Sequence, residues 1–230
     1  SYISENLKIV RESISESAAS YTRNADNITL VGVSKMHPPE AAAAAVMAGL
    51  NDLGENRTEE LSAKFSLLAA EGLKPNWHMI GTLQRRKVRQ IAGLTCLIHS
   101  VDNLKLLGEI SSRSLAAGFI SEVLLEMNVS GEESKHGFAP YQIPEVMQIV
   151  KTGIEGVIIR GLMTMAPYTD DGSVIENVFD KTNQIFNKIS SELHSGDFNI
   201  LSMGMSNDYQ LAIKHGATHL RIGTAIFGKR

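Results

Sequence analysis

The sequence predicts an α/β protein, a closed (β/α)8 barrel in a single domain spanning 1-230, and three observations lead to that fold class. Short apolar, β-branched runs alternate with helical segments along the chain, and eight such runs can be distinguished. The length of 230 residues lies near the lower end for a barrel of this kind. No linker, repeat or low-complexity stretch marks a second domain. An open doubly wound sheet is the alternative, but the first strand runs into Ser34-Lys35 rather than a glycine-rich turn.

In chain order, Ile3, Leu7, Val10 and Ile14 fall at helical spacing within an opening helix over residues 2 to 23. Ile28 to Lys35 is the first strand, ending in Met36-His37-Pro38-Pro39. The two prolines sit where a helix start tolerates them, and the alanine-rich run Ala41 to Ala48 follows until Gly49. Leu50 to Gly54 is a strand and Glu55 to Glu71 a helix closed by Gly72. Trp77 to Gly81 is a strand, and Leu83 to Ala92 a helix closed by Gly93. Leu94 to Val101 is the fourth strand, with Asp102 as the N-cap of a helix from Asn103 to Ala117, closed by Gly118. Strands over Glu122 to Val129, Gly156 to Met165, Phe198 to Gly204 and Thr218 to Ile222 then alternate with three helices. Those helices cover Tyr141 to Lys151, Ser173 to His194 and Asn207 to His215. Little chain follows the eighth strand, so the opening helix is expected to complete the outer ring.

Hydrophobic content of 43% and charged content of 20% describe an ordinary globular chain. The net charge of -3 gives no reason to expect nucleic acid. The one basic cluster, Arg85-Arg86-Lys87 with Arg89, reads as a solvated helix face that could also hold an anionic partner. Cys96 is the single cysteine, which excludes an internal disulfide framework and fits a reducing compartment. No apolar run approaches the roughly 18 residues that span a bilayer, and no signal-peptide pattern opens the sequence. A cytoplasmic protein without membrane contact is the expectation.

Lys35 has two readings. One is a strand-end lysine whose stem packs while its ammonium reaches water. The other is a desolvated amine able to attack a carbonyl and form a Schiff base. Barrels of this kind build their sites at the C-terminal strand ends and often hold phosphate after strands seven and eight. There the sequence places Ser202-Met203-Gly204-Met205-Ser206-Asn207-Asp208 and Arg221-Ile222-Gly223-Thr224, which offer the hydroxyls of Ser206 and Thr224, the Arg221 cation, two glycines and free N–H groups at helix starts. Each turn alone could be a capped loop; both together predict a monophosphate ligand. Two other patterns carry nothing. Gly223 to Arg230 resembles a P-loop but has arginine where magnesium would need a hydroxyl. His215 and His219 stand four apart with a glycine and a strand start between them, so they are not expected to share a face or hold a metal.

A Schiff-base lysine after strand one and a phosphate cup after strands seven and eight point to pyridoxal 5′-phosphate. The chain closely resembles the pyridoxal phosphate homeostasis protein family. The resemblance is carried by Val33-Ser34-Lys35, Gly54-Glu55-Asn56-Arg57, Trp77-His78-Met79-Ile80-Gly81 with Leu83-Gln84-Arg85, Ser134-Lys135-His136-Gly137, Arg160-Gly161-Leu162-Met163, and the two segments at strands seven and eight. It implies a barrel similar to the N-terminal domain of alanine racemase, the fold-type-III arrangement, with Lys35 as the internal aldimine. It further implies that Ser206, Gly223 and Thr224 hold the phosphate, that Arg221 faces the pyridine nitrogen, and that Asn56, His78 and Met163 line the cofactor. Thr82 departs from the family, where many relatives have histidine, so no role of that histidine carries over.

An arginine at the pyridine nitrogen disfavours ring protonation and weakens the ring as an electron sink. The resemblance therefore implies a non-catalytic pyridoxal-phosphate buffer or carrier in vitamin B6 and amino-acid homeostasis, handing the cofactor to apo-enzymes, and full barrel closure in one domain makes a monomer the expectation. The alternative is an amino-acid racemase lacking its second domain, which would need an acid/base such as Tyr168 or Tyr209. A class I aldolase using the lysine directly is a third reading.

Overall fold

A computed structural model describes residues 1–131, 136–193 and 196–229. Eight parallel strands close into a barrel in sequence order: β1 Thr29–Val33, β2 Asp52–Glu55, β3 Asn76–Met79, β4 Leu97–Val101, β5 Ser121–Met127, β6 Val157–Thr164, β7 Ile200–Ser202 and β8 His219–Ile222. The barrel closes through β1 and β8, where Thr29 pairs with His219 and Gly32 with Ile222. Parallel strands need a crossover between neighbours, and the helices α2 Pro39–Met47, α3 Thr58–Ala70, α4 Val88–Ile91, α5 Leu104–Ala117, α6 Ile143–Thr152, α7 Gly172–Glu192 and α8 Tyr209–Lys214 provide it.

The predicted alternation holds throughout the described residues, with shorter strands than the apolar runs suggested. Strand β1 stops at Val33, and Lys35 lies in the turn beyond it. Three differences are local. Asn103, not Asp102, caps α5, its side chain accepting from the Leu106 N–H at 2.9 Å. The helix expected over Leu83 to Ala92 is a 3-10 turn, Arg85–Lys87, followed by the single turn of α4. After β8 a short helix α9, Thr224–Phe227, forms that the sequence reading did not include. The predicted end of the long helix at His194 lies outside the described residues.

Helix α1, Tyr2–Ser20, buries Ile3, Leu7, Val10, Ile14 and Ala18 and completes the outer ring. Its polar side chains reach both neighbours: Ser13 Oγ accepts from the Tyr209 hydroxyl of α8 at 2.7 Å, and Arg11 donates to the Gly49 carbonyl after α2. The large core lies between strands and helices, whereas Leu97, Leu124, Met163 and Ile200 form a separate small apolar cluster contributed by β4, β5, β6 and β7.

One glycine is demanded by strand pairing. The register of β5 against β6 slips between Val123 and Leu124, and Gly161, with φ at 153°, follows the slip. A Cβ there would stand 1.8 Å from the Ile200 carbonyl oxygen, so only glycine lets β7 approach.

Candidate functional site

A cavity of about 610 Å³ opens at the C-terminal ends of the strands. Lys35 and His37 enter it from the β1 turn, Asn56 from β2, Thr82 from β3 and Glu126 from β5. The β6 segment from Met165 to Asp170, the β7 segment from Met205 to Asp208, and Arg221, Gly223 and Thr224 of β8 complete the wall. Of the residues the sequence singled out, Lys35, Asn56, Ser206, Arg221, Gly223 and Thr224 therefore meet in one cavity.

His78 and Met163 lie elsewhere. Met163 is buried with Leu97, Leu124 and Ile200 inside the barrel. His78 bonds to Asp52 at the start of β2 and to His99 of β4. Both face inward, as their position in the strand implies, but neither lines the cavity. Within Ser134-Lys135-His136-Gly137, Ser134 and Lys135 lie outside the described residues; His136 Nδ1 is 3.5 Å from Asp102 Oδ2. His215 stands between Glu176 and Asp180, while His219 lies beside the rings of His78 and His99, so the two do not share a face. Among the described residues no group of three or more His, Cys, Asp or Glu could hold a metal. In the basic cluster, Lys87 pairs with Glu59 at 2.7 Å. The Tyr209 hydroxyl is bound to α1, whereas Tyr168 is fully exposed at the cavity rim.

The turn that carries Lys35 is held from behind. Lys64, on the buried face of α3 with Leu61 and Leu68, donates to the Ser34 carbonyl at 2.7 Å, to Glu55 Oε1 at 2.7 Å and to Glu60 Oε1 at 2.9 Å. Ser34 Oγ donates to Glu55, and Glu60 accepts from the Met36 N–H at 2.6 Å. Met36 has φ at 62°, a left-handed conformation that this N–H bond helps to hold. Burial raises the Glu55 pKa, with Lys64 and Ser34 opposing the rise. The sequence reading missed Lys64; its signal was a lysine in register with Leu61 and Leu68.

The cup after β7 and β8 is one unit. Ser206 Oγ accepts from the Ala225 N–H at 3.4 Å, joining the two loops. Asp208 closes the β7 turn by accepting from the Met205 N–H at 2.6 Å. Gly223 packs on the end of β1, where a Cβ would come within 3.2 Å of the Val33 carbonyl. That contact sets the cup beside the Lys35 turn.

Arg221 forms the cation of the floor. It is 4% exposed and donates to Ser202 Oγ and, at 2.9 Å, to the Thr164 carbonyl. Burial lowers its pKa to about 10, against Asp208 and Glu126, so it stays charged at neutral pH. Glu126, also missed in the sequence, has the inward parity of Leu124 on β5. Burial, with Asp102 adding, pushes its carboxyl up to about 7, while Arg221 and His136 pull the other way. One cavity thus holds a lysine amine, a hydroxyl and glycine cup suited to an anion, and a buried guanidinium.

No family model matches the sequence. Among curated proteins, the pyridoxal phosphate homeostasis protein of Pseudomonas aeruginosa is 38% identical over 230 residues, covering 100% of this chain and 96% of that protein. That of Aquifex aeolicus is 36% identical, covering 98% and 97%. Among solved structures, PipY of Synechococcus elongatus with PLP bound superposes with a TM-score of 0.80 at 31% identity, over 94% of this chain and 100% of that one. The alanine racemase of Corynebacterium glutamicum shares the fold at 12% identity, with a TM-score of 0.73 over 61% of its own chain.

Proposed function

The chain belongs to the pyridoxal phosphate homeostasis protein family, and from that membership we propose that it binds pyridoxal 5′-phosphate covalently at Lys35 and serves intracellular vitamin B6 homeostasis as a non-catalytic buffer or carrier. The observation that carries this reading is the shared cavity: the Lys35 turn lies beside the Ser206, Gly223 and Thr224 cup, with Arg221 at its floor. The donor set fits the cofactor's three functional groups. The amine takes the aldehyde, the cup takes the phosphate, and Arg221 faces the ring nitrogen. Asn56 lines the ring.

Bound there, the cofactor supplies an aldehyde that exchanges between amines. The chain supplies the rest. The Lys64 brace fixes the backbone on either side of Lys35, so the amine is presented from a rigid turn. Arg221, as a cation, keeps the ring nitrogen unprotonated, which favours holding the cofactor over carbanion chemistry. Apo-enzymes that need the cofactor are the recipients in this reading, and the carrier is a monomer acting in the cytoplasm. No helix among the described residues is long and apolar enough to cross a membrane.

Purified protein is expected to show the visible band of a lysine-bound cofactor, which an added amino acid shifts, and Lys35→Ala is expected to abolish it. Borohydride-reducible cofactor retained by Lys35→Ala would place the attachment elsewhere. Steady deuterium exchange at Cα across a panel of amino acids would overturn the non-catalytic reading.

A further inference from the structure

We propose that Asp52, at the opposite end of the barrel from the cavity, is a positioning residue for Arg221, acting through an unbroken line of hydrogen bonds made by His78, His99 and Ser202. The inference rests on the functional reading above, since it concerns the cation assigned to the cofactor's ring nitrogen.

The line runs through the barrel interior. Arg221 Nη1 meets Ser202 Oγ, and Ser202 Oγ lies 2.8 Å from His99 Nδ1. His99 Nε2 lies 2.9 Å from His78 Nδ1, and His78 Nε2 lies 3.0 Å from Asp52 Oδ1. Asp52 is the first residue of β2, whereas Arg221 lines the cavity at the far ends of the strands. A guanidinium can only donate, so Ser202 accepts from it and has one proton left, which goes to His99 Nδ1. His99 then carries its own proton on Nε2 and gives it to His78 Nδ1. His78 in turn keeps its proton on Nε2 and gives it to Asp52. A carboxylate can only accept, and with one proton on each imidazole this assignment satisfies both ends with a single direction along the line. Hydrogen bonds aligned in this way in a dry interior reinforce one another.

Burial keeps the middle of the line neutral at His99. His99 is fully buried, and burial together with His78, Arg221 and His219 holds its pKa well below the ordinary histidine value. His219, whose ring centroid lies 6.3 Å from both His78 and His99, is pushed to about 4 by burial, with His78, Arg221 and Arg160 lowering it and Asp52 raising it. At Asp52 burial pushes the carboxyl up, but bonds and charge from His78, with the Asn76 amide and His219, hold it below the usual carboxylate range.

Without Asp52, His78 is free to move its proton to Nδ1, where it opposes the His99 Nε2 proton. The His99 ring and the Ser202 hydroxyl then turn, and Arg221 loses one of its two acceptors. A guanidinium that leaves the ring nitrogen lets that nitrogen protonate more readily.

The test uses the holo protein with ring-15N-labelled pyridoxal phosphate. Its NMR shift reports the pH at which the ring nitrogen protonates, and equilibrium dialysis gives the dissociation constant. Asp52→Ala and Ser202→Ala are each expected to raise that pH and to weaken cofactor retention about tenfold. Asp52→Asn, which keeps an acceptor for His78, is expected to restore both. The double variant is expected to be no worse than Ser202→Ala alone, because the line is already broken. If Ser202→Ala does not fold, His99→Asn takes its place. An unmoved ring-nitrogen titration in Asp52→Ala, or additive losses in the double variant, would overturn the proposal. A wild-type protein that takes up no pyridoxal phosphate would overturn the functional reading first, and this one with it.

Discussion

Lys64 Nζ donates to the Ser34 carbonyl at 2.7 Å, one residue before the lysine proposed to hold the cofactor. A cation that is 2% exposed on α3 therefore controls the turn in which Lys35 stands. Its partners, Glu55 and Glu60, hold the rest of that turn through Ser34 Oγ and the Met36 N–H.

Lys64→Met leaves Glu55 buried without its cation, and removing one partner of a buried pair costs about 3 to 5 kcal/mol. Urea unfolding is expected to show a loss of that order. Cofactor uptake at Lys35 is expected to slow as well, because Ser34 and Glu60 lose a shared anchor. A variant with unchanged unfolding midpoint and uptake rate would show that the brace contributes nothing.

Glu126 gives the protein a pH dependence of defined sign. Its carboxyl titrates near 7 when folded, against an ordinary value of 4.5. Between those values the folded state holds a proton that the unfolded state has released, so stability falls as pH rises through the window. The loss is on the order of 3 kcal/mol at most. Glu126→Gln is expected to flatten the dependence and to be the more stable protein at about pH 8. Equal slopes for both proteins, measured by urea unfolding at about pH 5 and about pH 8, would count against the assignment.

Two glycines are expected to respond to alanine with opposite sign. At Gly161 a Cβ would collide with the Ile200 carbonyl in the β6 to β7 ladder, and Gly161→Ala is expected to cost about 3 kcal/mol or to prevent folding. Gly108 lies inside α5 with nothing within 4 Å of a built Cβ. Gly108→Ala is expected to stabilise by about 0.5 to 1 kcal/mol, through lower chain entropy and better helix propensity. Calorimetry on the two variants separates steric demand from mere glycine content.

The sequence by itself determined the order of strands and helices, because the period of apolar residues is a local property that the backbone must satisfy wherever the segment goes. It also placed Lys35, Ser206, Arg221, Gly223 and Thr224 at strand ends that a barrel brings together, and barrel closure through β1 and β8 set the Lys35 turn against Gly223. What it could not supply was height within the barrel. Strand parity turns His78, His99, Ser202 and Arg221 inward, yet only register and strand tilt decide which inward side chains meet. His99 and Ser202 are 103 residues apart and still share a hydrogen bond, and His78 reaches down to Asp52 rather than up into the cavity. Partners so distant in the chain have no local signal. Closing the sheet fixes them, by setting each strand's stagger against its neighbours.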